Sequence, residues 1–128
     1  MTSMSWELPA EMIAASGARD HAAVWAQDHG WTLSQADDLV LIVSELVANG
    51  IRHGQPPVIL RLSLTADGLA RAEVSDRGDL TSPLVREAGE HEGSGRGLAM
   101  VKALSVESGW EQDDGRTTVW ATVPRSTR

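Results

Sequence analysis

Cysteine is absent from this 128-residue chain, which excludes disulfides and thiolate-ligated metal sites. Phenylalanine and tyrosine are absent too, so five tryptophans make up the whole aromatic set. Lysine occurs once, at Lys102, against ten arginines, a skew that fits GC-rich coding. There is no basic run, and the formal net charge is -7 at pH 7. That balance argues against a nucleic-acid binder that works by neutralising phosphates. The first twenty residues lack a basic start followed by an apolar run, and no apolar stretch approaches the ~20 residues of a membrane helix. A soluble, cytoplasmic protein without membrane or nucleic-acid contact is therefore expected. No second domain, repeat or low-complexity tract is visible. A single domain over residues 5–124 follows, which should bury about two thirds of its unfolded surface.

Strand and helix patterns alternate along the chain. Ser5-Trp6-Glu7-Leu8-Pro9 reads as a short edge strand ended by Pro9. Residues 13–27 are Ala-rich and helical, and Asp28-His29-Gly30 closes them with a glycine in the C′ region. Ser34 is the expected N-cap of the next helix, with Asp37 three residues on in a weak version of a capping box. Leu39, Ile42, Val43, Leu46, Val47 and Ile51 carry that helix to about His53, and Gly54 and Pro56-Pro57 stop it. Residues 58–64 alternate as a strand, Asp67-Gly68 marks a hairpin turn, and residues 69–75 read as the partner strand. Residues 80–95 hold Pro83, Gly89, Gly93 and Gly95 and read as a loop of about fifteen residues. Residues 97–104 open a third helix, with Leu98, Val101 and Leu104 inward. Residues 106–111 and 116–123 form a last hairpin around Asp113-Asp114-Gly115. This order predicts an α+β two-layer sandwich: a mostly antiparallel mixed sheet with about three helices packed on one face.

Three segments carry polar groups with chemical potential. In the second helix Glu45 and Asn49 lie four residues apart, so both project on one face, with His53 a turn further on. A carboxylate and a carboxamide on an otherwise apolar helix are costly unless something polar meets them, and a hydrated divalent metal with a phosphate would. A solvated stripe on an amphipathic helix has the same pattern. In the functional reading Asn49 is a neutral oxygen ligand of Mg2+, which keeps several waters and draws on substrate phosphates. Glu45 is then the base that orients or deprotonates an attacking hydroxyl or water. His53 reads as an N–H donor near the helix end, and Arg52 as a solvated charge. Asp76 ends a strand, where an Asp commonly forms a turn. Its carboxylate could equally accept a hydrogen bond from an exocyclic amine, which selects adenine over guanine, and Gly78 would let the backbone approach the flat base. Gly93-Ser94-Gly95-Arg96-Gly97-Leu98 opens a helix. Alternate glycines let several N–H groups converge on one anion, and the helix adds its positive end. A flexible hinge has the same composition, and Arg96 faces either phosphate or solvent. The segment is not a P-loop, because no Gly-Lys-Ser/Thr follows, and it lacks the strand and spacing of a dinucleotide fingerprint.

The order of these parts resembles the histidine-kinase-like ATPases (the GHKL or Bergerat-fold superfamily), and within them the small stand-alone anti-sigma-factor serine kinases. Ser44-Glu45-Leu46-Val47-x-Asn49-x-x-Arg52-His53 resembles the family's first motif, and Gly95-Arg96-Gly97-Leu98-x-Met100-Val101 its third. Thr117-Thr118-Val119-Trp120 resembles its last strand, and the likeness runs from about Glu7 to Val123. The resemblance implies the Bergerat ATP-binding fold with ATP and Mg2+ as cofactors. It implies Asn49 as the metal ligand, Glu45 as catalytic base, Asp76 on the adenine amine and Gly78 beside the base. Gly93, Gly95 and Gly97 would wrap the phosphates, together with Ser94, Arg96 and Leu98 of the same segment, and residues 80–95 would be the lid. The implied activity is that of a bacterial protein serine/threonine kinase. It would phosphorylate an anti-sigma-factor antagonist and bind a sigma factor, and a homodimer is compatible with the likeness. One departure stands out: the family's second motif carries a further glycine where this chain has Leu80, and its proline position holds Asp79. Leu80 keeps open a non-catalytic module that sequesters a protein partner. A sensor histidine kinase fragment fits poorly, because no phospho-acceptor helix pair precedes the domain.

Overall fold

The computed structural model describes residues 3–78 and 95–127. Its elements, in chain order, are β1 (Met4–Leu8), α1 (Ala14–Asp28), α2 (Asp37–His53), β2 (Val58–Leu64), β3 (Ala70–Asp76), α3 (Gly95–Leu104), β4 (Glu107–Asp113) and β5 (Arg116–Val123). The strands form one sheet in the order β1-β2-β3-β5-β4, with every neighbouring pair antiparallel. The sheet of the described residues is thus antiparallel throughout rather than mixed. The reason lies in the connections. α1 and α2 pack on each other as a hairpin and return the chain to the end of the sheet where β1 finished, so Val58 opens β2 opposite Leu8. The order of strands and helices is the expected one, and the helices lie against one face.

Burial follows the periods in the sequence. In β2 the inward residues are Val58, Leu60 and Leu62, and in β3 they are Ala70, Ala72 and Val74. α2 supplies Leu39, Ile42, Val43, Leu46 and Val47 at helical spacing. α1 faces this core with Ala18, Ala22 and Ala26, whose small side chains allow close approach, and Trp25 fills the remaining space. At the β1 edge, Trp6 stacks on His21 of α1 with ring centroids 4.8 Å apart. Asp114 and Gly115 both adopt left-handed φ, at 51° and 76°, which makes the two-residue β4–β5 connection a type I′ turn. Among the described residues, no helix is long and apolar enough to cross a membrane.

The start of α2 differs from expectation. The capping box sits two residues before Ser34, at Thr32-x-x-Gln35. The Thr32 N–H donates to Gln35 Oε1 at 2.9 Å, and the Gln35 N–H donates to Thr32 Oγ1 at 3.1 Å. The next orphan donor is met from the far end of the chain. The Asp38 N–H donates to Ser126 Oγ at 3.0 Å, and the Ser126 N–H donates to Gln35 O at 2.9 Å. Arg125 lies over the Trp31 ring, 5.3 Å from its centroid. A serine 88 positions away therefore completes the cap, which no local pattern could announce. Ser126→Ala should lower the unfolding free energy by about 1 kcal/mol, the usual worth of an N-cap oxygen. Urea denaturation measures this, and an unchanged midpoint would contradict the cap.

Candidate functional site

Strand β3 ends with a carboxylate on the wrong side for a simple surface turn. Its alternation places Asp76 inward, on the same face as Ala72 and Val74, where it is 2% exposed. The carboxylate accepts the Gly78 N–H. The end of helix α2 meets it through Gly50 in the last turn and Gly54, the residue that follows the helix. A Cβ on Gly54 would stand 2.3 Å from Asp76 Cγ and 2.5 Å from Asp76 Oδ1, closer than atoms can pack. A Cβ on Gly50 would stand 3.2 Å from Val74 Cγ1 and 3.9 Å from Asp76 Oδ2. Gly54 has an ordinary φ of -96°, so the site demands empty space there rather than an unusual backbone. In the sequence Gly54 reads as a helix stop. Its apposition to Asp76 depends on which strand lies underneath, which local pattern does not reveal.

Asn49 adjoins Gly50 and is 3% exposed. Its Oδ1 is buried with no hydrogen-bond partner among the described residues. An unmet buried acceptor costs about 1–3 kcal/mol, and a cation or donor brought by a ligand would remove that cost. The surface-stripe reading therefore fails at Asn49, although Glu45 and His53, a turn to either side, are only half-buried. No group of three or more His, Asp or Glu that could hold a metal lies among the described residues. A metal at Asn49 would thus draw its other ligands from elsewhere, as Mg2+ does from phosphates and water. The residues present fit that ion.

The connection from α2 to β2 is tied to the end of β3 and to β5. The Arg77 N–H donates to Gln55 O at 2.8 Å. Arg116 Nη2 donates to Ser75 Oγ at 2.8 Å and to Pro57 O at 3.2 Å. Thr117 is fully buried, sits opposite Asp76 in the β3–β5 register, and accepts from Gln112 Nε2 at 3.0 Å. Sequence reasoning missed Arg116 and Gln112. The only local signal was their position around the Asp114-Gly115 turn, beside the motif threonine.

α3 begins at Gly95, two residues before the expected start, and packs against α2, β4 and β5. Val101 is buried, while Leu98, Met100 and Leu104 lie half-buried against the core. Gly95 and Arg96 are the first two residues of this helix, followed by half-buried Gly97. Gly93, Ser94, Leu80, Asp79 and almost all of the expected lid lie outside the described residues. The structure thus brings Gly54, Asp76 and Gly78 together at the end of α2, with Asn49 and Glu45 about one and two turns back on the same helix.

An antiparallel sheet covered on one face by helices, one of them seated on a buried strand-end carboxylate, defines an α+β sandwich of the ATP-binding kind that the sequence motifs implied. Residues 8–123 match the family described as histidine kinase-like ATPase domain, and the chain belongs to that family. Among solved structures it is similar to the RsbU and RsbW domains of Rv1364c from Mycobacterium tuberculosis, with 28% identity and a TM-score of 0.73. That match covers 100% of this chain and 34% of the mycobacterial one, so the chain spans about a third of the length of that relative. The SiaB-SiaC complex from Pseudomonas aeruginosa is similar in fold, with 14% identity, a TM-score of 0.61 and coverage of 94% and 89%. A blue-light activated histidine kinase from Erythrobacter litoralis is similar in fold too, with 23% identity, a TM-score of 0.58 and coverage of 77% and 33%.

Gly54→Ala should destabilise the protein by about 1–3 kcal/mol, because the added methyl must displace either Asp76 or the end of α2. Thermal or urea unfolding measures the loss, and wild-type stability would refute the contact.

Proposed function

We propose that this chain is a bacterial, cytoplasmic anti-sigma factor with protein serine/threonine kinase activity, which transfers the γ-phosphoryl group of ATP to an anti-sigma-factor antagonist. The observation that carries this reading is the buried, unpartnered Asn49 Oδ1 on the helix whose end meets the buried Asp76 carboxylate, in a histidine kinase-like ATPase domain. Asp76 accepts the adenine amine, and the Gly78 backbone lies along the base. Asn49 holds Mg2+, which when bound neutralises phosphate charge. Gly93, Ser94, Gly95, Arg96, Gly97 and Leu98 offer backbone N–H groups and the positive end of α3 to the phosphates. Glu45 takes the proton of the acceptor hydroxyl as its oxygen bonds to the γ-phosphorus and the bond to the β-phosphate breaks, leaving ADP. The 28% likeness to a chain containing an RsbW domain supports an anti-sigma-factor type of regulator, and the proposal adds a sigma factor as second partner and a homodimer as the assembly. The net charge of -7 supports protein rather than nucleic-acid partners.

A second reading is a nucleotide-binding or degenerate module that sequesters its partner without phosphorylating it. Leu80, in place of the family's glycine, favours it.

Two substitutions separate these roles. Asn49→Ala should abolish Mg2+-dependent ATP affinity in calorimetric titration while leaving unfolding near wild type, since it removes an atom with no partner. Wild-type affinity would sink the metal assignment. Glu45→Ala should keep Mg-ATP affinity and slow phosphate transfer by about 10²-fold or more. Labelled phosphate entering a cognate antagonist at the normal rate would rule out the base, and no transfer by the wild type would favour the sequestering module.

A further inference from the structure

We infer that Arg116 is a positioning residue of the adenine site, acting on Asp76 through Ser75 and the Gly54–Pro57 connection. The inference rests on the reading of Asp76 as the acceptor of the base amine. Asp76 is the last residue of β3, where a strand end would ordinarily fray, and within its own segment the Gly78 N–H holds the carboxylate. Three ties hold the backbone around it. Gly54 lies directly against the carboxylate, the Arg77 N–H is bonded to Gln55 O, and Arg116 closes the remaining side. A single Arg116 nitrogen reaches Ser75 Oγ at 2.8 Å and Pro57 O at 3.2 Å. Ser75 immediately precedes Asp76. Pro57 ends the connection that carries Gly54. Arg116 itself precedes Thr117, the cross-strand neighbour of Asp76. One guanidinium therefore joins the three segments that meet at the carboxylate.

Charge-assisted bonds of this kind are stronger than neutral ones and need no change in geometry when ligand binds. Without them, the connection keeps the Arg77 N–H to Gln55 O bond to the end of β3 but loses its tie through Pro57. Gly54 then presses less firmly on Asp76, and the carboxylate gains rotational freedom. Asn49 lies within α2 and keeps its place through helix packing, so the metal and phosphate side is untouched. The consequence is selective: Arg116 governs recognition of the base amine and leaves the phosphate grip alone.

Titration of the full chain with Mg2+ and either ATP or purine riboside triphosphate, which lacks the exocyclic amine, tests this. The wild type should prefer ATP. Arg116→Met should weaken ATP about tenfold while changing the amine-free nucleotide less than about twofold. Arg116→Lys, which keeps a charged donor and guards against a misfolded methionine variant, should restore most of the preference. In an Asp76→Asn background, Arg116→Met should cost no further ATP affinity, because coupled residues do not add. Equal losses for both nucleotides, or full additivity with Asp76→Asn, would overturn the inference and leave Arg116 a structural residue. A wild type that binds both nucleotides equally would instead overturn the base-site reading, and this inference with it.

Discussion

The absence of any side chain between the last turn of α2 and Asp76 is the constraint on which the rest of this molecule turns. Gly54 and Gly50 bring a helix end to a buried carboxylate at contact distance. The helix offers its C-terminal end, the negative pole of its dipole, so α2 contributes nothing favourable to the carboxylate's charge. The stabilising donors must come from elsewhere. One is the Gly78 N–H. In the proposed function the adenine amine is a further donor, which makes the buried carboxylate a source of selectivity for a donor-bearing base.

The same helix is held at both ends. At its start, Thr32, Gln35 and Ser126 satisfy N–H groups, and the Ser126 contribution ties the C-terminal segment to the α1–α2 connection. At its finish, the Gly54–Pro57 connection is tied down by Arg77 and Arg116. Between these points its apolar face is buried against the sheet, which leaves little freedom for Glu45 and Asn49 to move relative to Asp76. A site built on a clamped helix and the end of a central strand is preorganised in the way positional catalysis requires.

Much of this was legible in the sequence where physics is local. The bounds of β2, the end of α2 and the Asp114-Gly115 turn follow from alternation, glycine and proline placement, and left-handed turn preference. Asn49 announced itself as a polar residue on an apolar helix, and Asp76 as a carboxylate at a strand end before Gly78. Burial then decided what pattern could not, because a solvated stripe would not hide the Asn49 oxygen. One miss was local, the capping box of Thr32 and Gln35, two residues before Ser34. The other misses were long-range. Ser126, Arg116 and the Gly54–Asp76 apposition each join residues more than twenty positions apart, and only the folded sheet brings them together.

A crystal structure of the protein with Mg2+ and a non-hydrolysable ATP analogue tests the central claim most directly. The account predicts the adenine amine within hydrogen-bond distance of the Asp76 carboxylate, and Mg2+ coordinated by Asn49 Oδ1 and the phosphates. A nucleotide seated elsewhere, or a metal bound without Asn49, would contradict it.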